Sequence, residues 1–321
     1  MSYLKPLDGI RAIAIIAVVI FHIMPEVLPG GFMGVDAFFV LSGFLITSGI
    51  LDKIHDGCFS LKEFYLRRIQ RLVPNIIITV LGVLVLWLIF FPPSTVRAIG
   101  TQAIWTLFNA SNIYIWKNFG DYWGDSAKLA PLTHTWSLGI EEQFYILFPF
   151  FVLLIIRFFP KFLFLSLWAI SILSFSFCLY GSYNAPQLTF YLLPTRIWEL
   201  LLGSLVALHQ SRYAMEKNFY YHFKHLKSVG WLGILLLIAS FLFFDEGTAF
   251  PGWVSLIPTL GTILMLLSVL HGETALSRWL SSNFMVRTGK ISYSLYLWHW
   301  PLITFGKHKL ICMGSLNWLE L

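Results

Sequence analysis

The sequence predicts an all-α protein, a polytopic bundle of transmembrane helices with about nine crossings and one further re-entrant or interfacial segment. Three observations predict it. Of the 321 residues, 57% are hydrophobic and only 12% charged, and the mean hydropathy is +0.74, too apolar for the surface of an ordinary soluble domain. Apolar runs of roughly 20 residues, the length that crosses a bilayer, recur along the whole chain. The basic residues behind the net charge of +6 gather in short stretches between those runs, where the positive-inside bias places them; this argues against nucleic acid as a partner. Cys58, Cys178 and Cys312 have neither paired nor metal-ligand spacing, so no disulfide framework and no metal site are expected.

The first run starts like a signal peptide, with a lysine and then apolar residues. Arg11 interrupts it and no small-residue cleavage site follows, so residues 9–27 read as a retained span. Further spans are expected at 34–51, 72–91, 136–156, 162–180, 195–209, 228–244, 253–270 and 291–306. The stretch 97–118 is weaker, because Thr, Gln, Asn and Ser interrupt it. Its placement follows from the basic loops: 52–71 carries Lys53, Lys62, Arg67, Arg68 and Arg71, 210–227 carries Arg212, Lys217, Lys224 and Lys227, and 272–290 carries Arg278, Arg287 and Lys290. All three fall on the cytoplasmic side only if 97–135 enters and leaves by the outer face, with the N-terminus inside. No internal repeat and no long linker is visible, so one membrane domain, residues 1–308, is expected, followed by a short tail, 309–321.

Ionisable groups inside these spans are the candidate functional residues, since they are costly in lipid. Arg11 and His22 are eleven residues apart, which returns them to one helix face about 16 Å along the axis. Asp36 opens the second span on the side of His22, where a carboxylate orients an imidazole or simply caps the helix. Gly34, Ser42 and Gly43 allow close helix approach. Arg67 and Arg71, four apart, share a face beside Arg68, and arginine forks suit phosphate as well as topological anchoring. His134, Glu141 and Glu142 enter an otherwise apolar helix; the adjacent carboxylates point about 100° apart. Arg196 and Glu199 are three apart and able to pair. His299 stands mid-span between Trp298 and Trp300, within reach of a site or of an interfacial aromatic belt.

The segments "LDGIRAIAIIAVVIFH", "GFMGVDAFFVLSGFLIT", "RRIQR", "HTWSLGIEEQFY", "RIWELLLG" and "ISYSLYLWHWPL" together resemble the acyltransferase-3 family of membrane O-acyltransferases, the bacterial enzymes that acylate lipopolysaccharide O-antigen, peptidoglycan and other surface glycans. The resemblance runs through nearly the whole chain in order. It implies transfer of an acyl group, acetyl in the simplest case, from cytoplasmic acyl-CoA to a hydroxyl of a surface glycan or lipid-linked glycan, in the inner membrane, with no bound cofactor. It also implies roles: Arg11, Arg67, Arg68 and Arg71 hold the anionic donor, His22 acts as base or acyl carrier, and His22, Asp36, His134 and Glu142 form the catalytic set, with Glu141, Arg196, Glu199 and His299 lining the cavity. Direct transfer and an acyl-enzyme both remain open.

After "WHWPLITFGK" the family pattern leads to expect another span, and many members continue into an extracytoplasmic esterase domain. The end "HKLICMGSLNWLEL" therefore suggests a shortened chain with a returning helix missing or supplied by a partner subunit. Two rival classes remain: a secondary transporter, which commonly shows two related halves, and a non-catalytic remnant.

Overall fold

The computed structural model describes residues 3–120, 122, 124–215 and 228–312. Each predicted span falls on a helix, although the first ends at Ile23 rather than 27 and the eighth begins at Leu256 rather than 253, and no strand occurs among the described residues. In chain order the helices are α1 (Lys5–Ile23), α2 (Gly34–His55), α3 (Leu61–Phe90), α4 (Pro93–Leu107), α5 (Ser111–Asn118), α6 (Asp125–Leu129), α7 (Trp136–Phe158), α8 (Leu163–Asn184), α9 (Pro186–Tyr191), α10 (Leu193–Met215), α11 (Val229–Phe243), α12 (Leu256–Leu270), α13 (Ala275–Leu280) and α14 (Asn283–Cys312). Six of them, α1, α2, α3, α7, α8 and α10, are long and apolar enough to cross a membrane. At 15 residues each, α11 and α12 measure about 22 Å. The chain is a multi-pass membrane protein. Lys217, Lys224 and Lys227 of the second basic stretch, and residues 313–321 of the expected tail, lie outside the described residues.

One boundary differs instructively from the expectation. Residues 61–71 form the first turns of the 30-residue α3 rather than a loop. Ser60 caps that helix by accepting from the Glu63 amide at 3.4 Å, and Glu63 adds negative charge to the first turn, where the helix dipole favours it. Hydropathy registers only the apolar continuation, which is why the span was expected to begin at 72.

The described residues group into two compact units, one from residues up to 59 together with 144–292, the other from 60–143 together with residues after 292. In the first unit α2 and α10 approach to backbone contact. A Cβ on Gly43 would overlap the Leu200 carbonyl, and one on Gly203 would overlap the Val40 carbonyl, so each glycine exists where the other helix's backbone passes. Ser204 at this crossing donates to the carbonyls of Leu200 and Gly43, at 3.0 and 3.3 Å.

In the second unit Ile76, Val80, Val83, Trp87, Ile99, Ala103, Leu132 and Leu297 build the apolar core. The weakly apolar stretch 97–118 is two helices, α4 and α5, broken where Asn109 takes φ 57°, a left-handed conformation that Asn tolerates better than most residues. The polar side chains that lowered its hydropathy tie it to the segment opening α7. Ser111 donates to the Thr135 carbonyl at 2.7 Å, and Thr106 and Thr135 hydroxyls meet at 3.2 Å. Gln143 donates to Asn112 Oδ1 at 2.8 Å and to the Asn109 carbonyl at 3.2 Å. Internal pairing of this kind is what irregular backbone at membrane depth requires.

Candidate functional site

Arg11 and His22 sit on α1, a helix whose remaining side chains are mostly apolar. His22 is half-buried, and its Nδ1 lies 2.8 Å from the Val18 carbonyl oxygen. A carbonyl only accepts, so Nδ1 carries the proton and the ring's lone pair is on Nε2. That is the tautomer a general base or a nucleophile needs. Arg11 sits two turns from the helix start, with Nη1 3.1 Å from Asp8 Oδ1. The second Asp8 oxygen accepts from the Tyr3 hydroxyl at 2.5 Å. That bond, with some burial, pushes the Tyr3 phenol above its ordinary value, so the hydroxyl keeps the proton it donates. Asp8, Arg11, Ser48, Asp52 and Lys53 are among the residues lining a cavity of about 460 Å³ between the start of α1 and the end of α2.

The expectation that Asp36 orients His22 is not what forms. Asp36 is fully buried in the first turn of α2, and its Oδ1 accepts from Arg196 Nη2 of α10 at 2.6 Å. Arg196 Nη1 lies 3.0 Å from Glu199 Oε1. The three ionisable side chains are wholly enclosed, and the guanidinium lies over the rings of Phe39 and Phe250, at 5.4 and 5.0 Å. A guanidinium in an enclosed site draws a carboxylate more strongly than a neutral imidazole does, which explains the partner exchange. The i,i+3 pairing of Arg196 with Glu199 was legible from spacing; the link to Asp36, 160 residues away in sequence, was not.

In the second unit Arg67 pairs with Glu63 at 3.3 Å, both about half exposed, as a surface pair one helical turn apart. Arg68 is more enclosed and lies 5.8 Å from the Phe64 ring. It is near enough to Glu142 for the two charges to interact, and Arg71, Glu141 and Glu142 all act on Tyr293 of α14. The arginines of α3 and the adjacent carboxylates of α7 thus belong to one electrostatic neighbourhood.

The same unit brings His134 and His299 together, with ring centroids 5.5 Å apart. His134 sits in the 3-10 turn Thr133–Thr135 that leads into α7, and Tyr296 completes a triangle of rings, 5.5 Å from His134 and 5.3 Å from His299. His299 Nδ1 lies 2.7 Å from the Tyr296 carbonyl, which again puts the lone pair on Nε2. The Tyr296 hydroxyl donates to the His134 carbonyl at 2.9 Å. Its single proton being used, the 2.6 Å contact with Ser137 Oγ has Ser137 as donor. Tyr296 and Ser137 were not among the expected site residues; their long sequence separation left no signal. Tyr3 and Asp8 were missed as well, although Asp8 and Arg11 have helix-pair spacing.

With this arrangement established, comparison with known proteins decides the lineage. The acyltransferase-3 family model, described as an acyltransferase domain, matches residues 5–311. The chain belongs to the acyltransferase-3 family. A Staphylococcus aureus (strain COL) protein named as a putative O-acetyltransferase is 35% identical over 317 residues, which are 95% of this chain and 51% of that protein. O-acetyltransferase OatA of Staphylococcus aureus (strain NCTC 8325 / PS 47) is 33% identical over 311 residues, 94% of this chain and 51% of the relative. The chain therefore spans about half the length of the curated relatives it matches. No solved structure matches it. Within this acyltransferase-3 chain, the His22 helix, the Asp36–Arg196–Glu199 cluster and the His134–Tyr296–His299 cluster are among the polar features set into apolar helices.

Proposed function

We propose that this chain is a membrane O-acyltransferase that moves an acyl group, acetyl in the simplest case, from cytoplasmic acyl-CoA to a hydroxyl of a surface glycan such as lipopolysaccharide O-antigen. The protein would lie in the bacterial inner membrane with its N-terminus in the cytoplasm. The observation that carries the reading is His22: an imidazole inside an apolar helix, its Nδ1–H bound to the Val18 carbonyl, in a chain whose family is defined by acyl transfer. Bonding at Nδ1 gives Nε2 the lone pair that takes the acceptor hydroxyl's proton or attacks the thioester carbonyl. In the first route the freed alkoxide attacks the thioester and CoA leaves as a thiolate that takes up a proton. In the second, Nε2 displaces CoA thiolate to give an acyl-imidazole, and the acceptor hydroxyl, giving up its proton, then takes the acyl group and frees the imidazole. Arg11, Arg68 and Arg71 would supply cations to the donor's phosphates; Arg67, engaged with Glu63 at the surface, has the weakest case among them. His134, Glu142 and Asp36 are assigned to the same machinery on the family reading, Asp36 through Arg196 rather than through His22.

The test is mass spectrometry of surface glycans from cells with and without the gene. Ester-linked acyl groups should disappear with the gene and return when it is restored. An unchanged acylation pattern would contradict the proposal.

A further inference from the structure

We infer that Asp8 is a positioning residue for Arg11, braced in turn by Tyr3, and that the pair fixes the guanidinium for the phosphate-bearing end of the acyl donor. The inference rests on the donor role proposed above for Arg11 and adds two residues that the motif reading passed over.

The geometry is specific. Each Asp8 oxygen has its own partner, Arg11 Nη1 at 3.1 Å and the Tyr3 hydroxyl at 2.5 Å. Both side chains line the cavity of about 460 Å³, but Asp8 is only 6% exposed against 21% for Arg11, so the guanidinium is the more accessible member of the pair. The backbone beneath is equally fixed: a Cβ on Gly289 would overlap the Asp8 carbonyl, so α14 packs onto α1 at this residue. Lys290, next along α14, places its ammonium 5.3 Å from the Tyr3 ring. Arginine is a long side chain with many rotamers, and holding one edge of its fork removes that freedom before a ligand arrives. The remaining N–H donors then meet a phosphate in a preset orientation. The lining also carries Asp52 and Asp56 along with Arg11 and Lys53, so the cavity is no general anion trap, and affinity depends on how the arginine is aimed.

The experiment measures binding of radiolabelled acetyl-CoA, and separately of S-acetylpantetheine, which lacks the nucleotide and its phosphates, to the full chain in lipid nanodiscs. Asp8→Asn should weaken acetyl-CoA binding about tenfold, as expected for losing a charge-assisted bond, and Tyr3→Phe about threefold. Neither should change S-acetylpantetheine binding, which a merely structural defect would lower alongside. Tyr3→Phe removes one hydroxyl from a largely exposed residue, so it reports even where Asp8→Asn folds poorly. If Arg11→Ala leaves acetyl-CoA binding intact, the donor role of Arg11 fails and this inference with it. If Arg11→Ala weakens binding but Asp8→Asn and Tyr3→Phe bind like wild type, or more tightly, the positioning role alone is overturned.

Discussion

Replacing Arg196 by methionine should damage stability more than any other single change in the first unit. The guanidinium is wholly buried and serves two carboxylates, Asp36 at 2.6 Å and Glu199 at 3.0 Å, over the rings of Phe39 and Phe250. Methionine roughly fills the volume but removes the charge, leaving both carboxylates enclosed without their cation. Breaking one buried ion pair by removing a single partner costs about 3–5 kcal/mol, so a loss of about 4 kcal/mol is expected. At roughly 2 °C per kcal/mol for a chain of this size, the thermal midpoint should fall by about 8 °C. The measurement is the temperature at which detergent-solubilised protein loses its monodisperse peak on size-exclusion chromatography. The triple variant Arg196→Met, Asp36→Leu, Glu199→Met removes the stranded carboxylates and should recover most of the loss, because enclosed ion clusters are commonly replaceable by well-packed apolar residues of similar volume. A single Arg196→Met variant melting within about 2 °C of wild type would refute the reasoning.

Other perturbations probe separate links. Gly203→Ala should lower the midpoint by several degrees by forcing α2 and α10 apart at Val40, while Gly100→Ala, where a Cβ meets nothing, should leave it unchanged; equal effects in the two variants would contradict the close-packing account. Tyr296→Phe removes the donor to the His134 carbonyl and the acceptor for Ser137, a cost of about 1–3 kcal/mol, and acyl transfer measured in membranes should fall with it; wild-type stability would show that the hydrogen bonds do not hold the turn. Arg68→Ala and Arg71→Ala should raise the acyl-CoA concentration needed for half-maximal transfer more than the acceptor concentration, and the reverse split would remove these arginines from donor binding.

The helical architecture was legible because apolar runs of spanning length have few alternatives. What hydropathy missed is chemistry that hydropathy does not weigh. The basic first turns of α3 are helical through a Ser60 cap and a Glu63–Arg67 pair, both polar. The break between α4 and α5 turns on the backbone angle of Asn109, and Asn at that position is one residue among several polar ones. Within the site, local pairs such as Arg196 with Glu199 follow from helical spacing. Asp36 with Arg196, or Tyr296 with His134, are contacts between distant segments, and a single sequence holds no register for them. The proposed Asp36–His22 contact failed for that reason: both residues were assigned to one side of the membrane, and nothing in the sequence ranked the buried arginine of α10 as the stronger competitor.

The central claim is that acyl transfer passes through the imidazole of His22. The most direct measurement follows a radiolabelled acetyl group from acetyl-CoA into ester-linked, base-labile cell-surface material in membranes carrying the full chain, wild type or His22→Ala, with insertion and melting temperature checked in parallel. The account predicts label transfer with the wild type and none above background with a normally inserted His22→Ala variant. Transfer by His22→Ala at the wild-type rate, or no transfer by the wild type beyond empty membranes, would contradict it.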